Sequence, residues 1–325
     1  MYALGIDGGG TKTIAIVTDE KGKIFLSAYA GPSNPNSLSQ REFEEVMEDL
    51  LGQLKSKDIH IFEQLSVCFA GMAGVGESNN HQLAEQCLRK YLPNHTDIIV
   101  ENDGVNALYS GTLGSPGIVQ IAGTGAITLG INEQRKMVRA GGWGYLFDDE
   151  GSGYNLGINA LSAVFQEYDG RGVETSLTSA LLKFFDVKDT AELIGKVYIG
   201  SGAKAIISSL SPVVVQEAGA GDKVAQDILQ EACAKMFLSI KTCYKKLFHD
   251  EPIQVVLSGS VFTRAELFIP YFMELAIKEQ LPFSFIRNVI HPVGGALVAA
   301  FHSKGREISE EFIKQFIDEM EAQHI

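Results

Sequence analysis

The chain has 325 residues, 45% of them hydrophobic and 34 of them glycine, a length and composition that suit a soluble α/β protein of two lobes and exclude disordered or low-complexity classes. Forty acidic residues against 27 basic give a formal charge of −13, which argues against nucleic acid or anionic lipid as partner and leaves a small molecule. No stretch reaches about 18 consecutive apolar residues, and the four cysteines, Cys68, Cys87, Cys233 and Cys243, have no metal-type spacing, so a cytoplasmic protein with core thiols is expected.

Ala3 to Ile6 reads as a strand that ends in Asp7 and turns through Gly8-Gly9-Gly10-Thr11-Lys12-Thr13 before strand character resumes at Ile14 to Val17. Neither the P-loop pattern nor the dinucleotide fingerprint is met, because no G-x-x-x-x-G-K-[ST] is present and a strand rather than a helix follows the glycines. A tight hairpin can still gather successive N–H groups into an anion-binding concavity, and Asp7 can hold Mg²⁺ through water. The competing reading is a plain glycine turn with an incidental aspartate. A third strand, Ile24 to Ala30, completes an antiparallel meander. In the loop Gly31–Ser37, Asn34 and Asn36 either hydrogen-bond a polyol or fill the turn. Ser39 and Glu42 predict a capping box that opens a helix running to about Leu54.

Leu65 to Phe69 predicts a buried strand, followed by a small-residue loop over 70–76 in which Gly71 lets something approach the backbone. A helix over 79–91 and a strand over 98–100 lead to Glu101-Asn102-Asp103-Gly104. Ligands of open α/β sheets lie at the carboxyl ends of strands, so Asp103 is either a chemical carboxylate or the cap of the next helix. From Gly117 the opening motif repeats as strand, Gly123-Thr124-Gly125 turn and strand, which predicts two lobes of related construction, each presenting a hairpin to a shared cleft, with a boundary near 114–117. The loop 141–154, with Gly142 and the single Trp143, is costly to order and predicts a binding role. Mostly helices follow, over 153–168, 175–184, 189–196, 203–209 and 222–248. A strand over 253–257 ends in Ser258-Gly259-Ser260, where the glycine can admit an adenine or ribose. Gly294 and Gly295 begin a small-residue helix suited to close packing against another element or a ligand, and a last amphipathic helix spans about 307–322.

In this order the motifs resemble those of the N-acetylglucosamine kinase family (BadF/BadG/BcrA/BcrD-type ATPases) of the actin, hexokinase and heat-shock ATPase superfamily. The resemblance runs nearly end to end. It implies an α/β, two-lobed actin-like ATPase fold of the ribonuclease H-like kind, each lobe a mixed sheet flanked by helices, with ATP and sugar in the interlobe cleft. Lobes are expected at 1–115 and 116–302, and the helix of about 303–325, which the resemblance does not explain, is expected to pack back on the first lobe. The resemblance implies ATP- and Mg²⁺-dependent phosphorylation of an amino sugar by a homodimer, foremost N-acetylglucosamine to its 6-phosphate, with N-acetylmuramic acid and glucosamine as alternatives. By the same resemblance Asp103 is the base. Asn34, Asn36, Gly71, Asn102, Asp103, Thr124, Gly142, Trp143 and Asp149 touch the sugar, and Asp7 holds Mg²⁺ through water. Gly9, Gly10, Thr11, Lys12, Thr13, Gly123, Thr124, Gly125, Gly259, Ser260 and Gly295 hold ATP. Ala126-Ile127 departs from the Ser-Asn of the animal enzymes, which leaves the contacts to the 2-substituent open. Another branch of the superfamily, the ATPase activators of 2-hydroxyacyl-CoA dehydratases, needs cysteine thiolates on its glycine-rich loops for an iron–sulfur cluster, whereas these cysteines fall within predicted strands and helices.

Overall fold

The computed structural model describes residues 1–76, 80–198 and 202–323, and its packing separates Met1–Ser115 with Asn288–Ile325 from Pro116–Arg287. In the first unit β1 (Tyr2–Gly8) is the middle of a five-stranded sheet. β2 (Thr13–Thr18) and β3 (Ile24–Ala30) extend the sheet antiparallel on one side. On the other side β4 (Leu65–Met72) and β5 (Asp97–Asn102) run parallel to β1. Helix α1 (Gln40–Lys57) opens on the expected capping box, with Ser39 N–H donating to Glu42 Oε2 at 2.8 Å and Glu42 N–H to Ser39 Oγ at 3.3 Å. Its Phe43, Met47, Leu50 and Leu54 join Leu4, Ile6 and Phe62 of α2 (Ile59–Phe62) in one core. α3 (Asn80–Tyr91) and α4 (Asp103–Thr112) complete this part, and the expected helix start at residue 79 lies outside the described residues. β4 runs to Met72, three residues beyond the expected strand, because Ala70, Gly71 and Met72 are paired on both sides. Gly71 is therefore a sheet residue, between Asp7 and Glu101, and not part of a loop.

The second unit repeats the plan. β6 (Gly117–Ala122) is the middle strand, with β7 (Ala126–Ile131) and β8 (Met137–Gly141) antiparallel on one side. Five helices follow: α5 (Gly153–Tyr168), α6 (Ser176–Phe185), α7 (Glu192–Tyr198), α8 (Ala203–Ser208) and α9 (Ser211–Ala220). The long α10 (Lys223–Leu247) buries Ala225, Leu229, Ala232, Met236 and Ile240, the apolar repeat expected of it. β9 (Ile253–Ser258), a 3₁₀ turn over Ser260–Leu267, α11 (Ile269–Lys278) and β10 (Phe283–Arg287) close the unit. The strand order β10-β9-β6-β7-β8 matches β5-β4-β1-β2-β3 in sequence of directions, two parallel neighbours on one side and two antiparallel on the other. β8, α9, α11 and β10 are not among the predicted elements. β8 is five residues with no fully buried side chain, so its sequence carries no core signal.

The chain then returns to the first unit with α12 (Pro292–Ser303) and α13 (Glu310–Ala322). Residues 288–302, expected with the second lobe, pack against β1 and α4 instead, because α12 is stripped of bulk along that contact. A Cβ on Gly295 would lie 2.0 Å from Asn106 O, and one on Gly5 of β1 would lie 2.8 Å from Leu297 Cγ. Phe312 and Phe316 of α13 stack on each other, and Phe312 meets Phe301 edge-on. No helix among the described residues is long and apolar enough to cross a membrane.

Gly295 decides between packing and nucleotide binding as the reason for its glycine. An alanine in a helix interior normally gains about 1 kcal/mol over glycine. Here we expect Gly295→Ala to lose about 1–3 kcal/mol from overpacking. Chemical denaturation of the two chains without nucleotide measures the sign.

Candidate active site

Each unit carries one glycine hairpin at the carboxyl end of its middle strand. In the first unit the turn between β1 and β2 is closed by Gly9 N–H donating to Lys12 O at 3.0 Å, and Gly9 O accepts from Ser33 N–H at 3.1 Å. Thr11 and Lys12 are exposed, whereas Thr13 is buried and its hydroxyl donates to Gly31 O at 2.7 Å. The hydroxyl of Thr13 thus fastens β2 to the end of β3 and is not directed to a phosphate. Gly10 has open space where a Cβ would stand.

Asp7 stands at the entry of this hairpin, level in register with Gly71 of β4. Asp103 begins α4 directly after β5. The cap of α4 is Asn102, whose side chain accepts from Gly104 N–H at 2.9 Å, so the capping role weighed for Asp103 belongs to its neighbour. Burial raises the pKa of Asp7, against the opposing effects of the Asn106 hydrogen bond and the Lys12 charge. Burial, reinforced by the nearby Asp7 charge, raises Asp103 to about 7, despite the hydrogen bond from Gly104 N–H. His291, the cap of α12, accepts from Val293 N–H through Nδ1 at 3.2 Å; burial, with the Lys12 charge adding to it, lowers its pKa to about 4, so it is neutral at physiological pH.

Asn106 is absent from the expected residues and is central here. It lies one helical turn beyond Asp103, and its Nδ2 donates to Asp7 Oδ1 at 2.8 Å, to Ile6 O at 3.1 Å and to Gly71 O at 3.2 Å. The space it occupies exists because Gly71 has no side chain, since a Cβ there would lie 2.1 Å from Asn106 Oδ1. What approaches the Gly71 backbone is this amide. In the sequence it is only an asparagine between Val105 and Ala107-Leu108; the structure buries it with the rest of the helix from Gly104 to Thr112.

The two asparagines of the 31–37 loop are partly committed. Asn34 Oδ1 accepts from Asn36 N–H at 2.9 Å, and Asn36 Oδ1 accepts from Asn80 Nδ2 at 2.8 Å, which ties this loop to the start of α3.

In the second unit Gly123 N–H donates to Gly125 O at 2.9 Å, and Gly123 O accepts from Gly153 N–H of α5 at 2.7 Å. Thr124 is exposed at the tip, and Gly259 and Ser260 are exposed beside it. Gly259 has φ 102°, and a Cβ there would lie 2.3 Å from Ala122 O, so both its conformation and its contact with β6 require glycine. Asp149, expected at the sugar, is 6% exposed; its Oδ1 accepts from Gly144 N–H at 3.3 Å and its Oδ2 lies against Gly125. In the structure this carboxylate braces the hairpin of its own unit. Gly142 abuts Ile127, and Trp143 is 61% exposed with the Arg139 guanidinium 3.8 Å from its ring centre. Gly295 belongs to the first unit, Gly259 to the second.

Residues 4–300 match the BadF/BadG/BcrA/BcrD ATPase family, and the chain belongs to it. An N-acetylmuramic acid/N-acetylglucosamine kinase of Clostridium acetobutylicum is 35% identical over 261 residues, 80% of this chain and 85% of that protein. An N-acetyl-D-glucosamine kinase of Dictyostelium discoideum is 31% identical over 319 residues, 93% of this chain and 98% of the relative. Among solved structures, a ROK family glucokinase from Streptomyces griseus, in complex with glucose and AMPPNP, superposes with a TM-score of 0.59 at 16% identity, over 93% of this chain and all of the other. The fold is thus that of the two-domain actin-like sugar kinases.

The raised pKa of Asp103 has a sign that stability can read. An unfolded aspartate ionises near pH 3.9, the folded one only near about 7, so between those values the unfolded chain alone releases a proton and stability falls as pH rises. The loss is on the order of 4 kcal/mol at most and is complete above about pH 7. Asp103→Asn cannot incur it, so its urea midpoint should gain on the parent's between pH 4 and 8.

Proposed function

We propose that the chain is an ATP-dependent kinase of amino sugars that transfers the terminal phosphoryl group to O6 of N-acetylglucosamine, with N-acetylmuramic acid and glucosamine as the nearest alternative acceptors. The observation that carries this reading is Asp103, a carboxyl at a strand end where Asn102 is the helix cap, with a pKa raised to about 7, the range in which a general base both exists deprotonated and accepts a proton readily. The two relatives, kinases of the same sugars by name, support the acceptor class. Asp103 accepts the proton of the attacking hydroxyl. The N-terminal end of α4 and the N–H groups of the Gly9–Lys12 turn favour anionic oxygens, and Lys12 adds a mobile positive charge.

The first turn has room for a nucleotide phosphate beside Gly10. Gly10 has no internal contact within 4 Å and no positive φ, so neither packing nor conformation of the chain demands glycine there. Its exposed turn leaves room for a ligand to come close to the backbone. The oxygen-only pair Asp7 and Asp103, each with its pKa raised, suits a hard divalent ion such as Mg²⁺, which Asp7 would hold through water and which, when bound, offsets phosphate charge. In the dehydratase-activator branch cysteines must reach the glycine-rich loops. Here Cys68, Cys87, Cys233 and Cys243 are all buried, with burial pushing Cys87 up to about 11 and Cys243 to about 12, so none offers a ready thiolate.

A coupled ADP assay across N-acetylglucosamine, N-acetylmuramic acid, glucosamine and glucose with MgATP tests the reading, and no turnover with any of them refutes it. Within an active enzyme, Asp103→Asn should cut kcat by about 10²- to 10⁴-fold, and the parent's kcat/KM should rise with pH to a plateau above about 7. Gly10→Ala should leave the melting temperature nearly unchanged while weakening nucleotide binding in calorimetry.

A further inference from the structure

Asn106 makes three contacts with two protons. Its Nδ2 faces Asp7 Oδ1, Ile6 O and Gly71 O, all acceptors, and the shortest of the three distances is to the carboxylate. This all-acceptor surrounding fixes which end of the amide points at Asp7, and it leaves Oδ1 buried without a donor. An orphaned buried oxygen is costly, so the orientation is retained for what the nitrogen does. The surroundings are arranged to keep it there. Gly71 opens the space on the sheet side, and Gly295 lets α12 close on the Asn106 carbonyl from the other side.

We propose that Asn106 is the positioning residue for Asp7, holding the carboxylate that receives the divalent ion of the metal–nucleotide in fixed relation to Asp103, one turn earlier on the same helix. The proposal rests on the kinase reading and adds to it a group that touches neither substrate. Hydrogen-bond partners of this kind orient a metal-binding carboxylate, and their loss typically costs about 10- to 100-fold in metal affinity. An aspartate at 106 would set a fourth acceptor against three, and a leucine would leave the carboxylate free to rotate.

The test is a double-mutant cycle on the full chain with Asp7→Asn and Asn106→Ala, reading Mn²⁺·ADP affinity by calorimetry and sugar affinity separately. We expect Asn106→Ala to weaken Mn²⁺·ADP binding about 10-fold or more, to change sugar affinity less than about twofold, and to add nothing once Asp7→Asn is present. Independent, multiplicative losses, or equal losses of metal–nucleotide and sugar, would overturn the positioning role and leave the kinase reading intact. If Asp7→Asn itself leaves Mn²⁺·ADP affinity unchanged, both the metal role of Asp7 and the inference fall. Should Asn106→Ala not fold, the parent decides. The side-chain amide resonances of Asn106 should shift on addition of MgADP and stay in place with sugar alone, and silence to MgADP overturns the proposal.

Discussion

Two half-buried carboxylates, at the carboxyl ends of β1 and β5 with β4 between those strands, are the constraint around which the first unit is arranged. Each pays a desolvation penalty that raises its pKa, and at Asp103 the Asp7 charge adds to it. The fold offsets this only in part, with one amide hydrogen bond, the Lys12 charge and the first turn of α4. A structure selected for stability alone would replace such a pair with packed apolar groups, at little cost or some gain. Persistence of an unrelieved charge pair is what a site for a proton and a cation requires, and it is also why activity and stability pull in opposite directions at these two positions.

Glycine serves three distinct ends in this chain, and separating them sharpens the site. Gly71 and Gly295 are empty so that Asn106 and α12 can come close, and Gly259 is needed for its left-handed backbone and its contact with β6. Gly10 has no such internal reason. Motif matching treats all four alike, because it sees only the residue type.

Much of the architecture was legible in the sequence because the strands are short apolar runs bounded by glycine, and because the hairpin pattern recurs. The observed sheets repeat one another strand for strand, which is the three-dimensional counterpart of that recurrence. Asp7 and Asp103 could be read from their places at strand ends. Asn106 could not, since a polar residue three positions along a helix looks like a solvent-facing one until β1 and β4 are laid beneath it. Asp149 shows the opposite case, in which an acidic residue in a glycine-rich loop invites a ligand and is also held by backbone amides of its own unit. The placement of α12 was illegible for a different reason. Its small residues announce close packing without saying against what, and its partners β1 and α4 lie far away in the chain.

That last feature bears on how the protein is made. The second unit is one uninterrupted stretch, Pro116–Arg287, whereas the first is finished only by α12 and α13, which leave the ribosome after it. At roughly 5–20 residues per second, β1 and α4 wait on the order of ten seconds or more with the surface meant for α12 uncovered. The second unit is complete while its predecessor is still an open sheet. Nascent chains of this protein therefore carry an exposed apolar face at a defined point in synthesis, and that interval, more than the final fold, is where assistance by chaperones has something to act on.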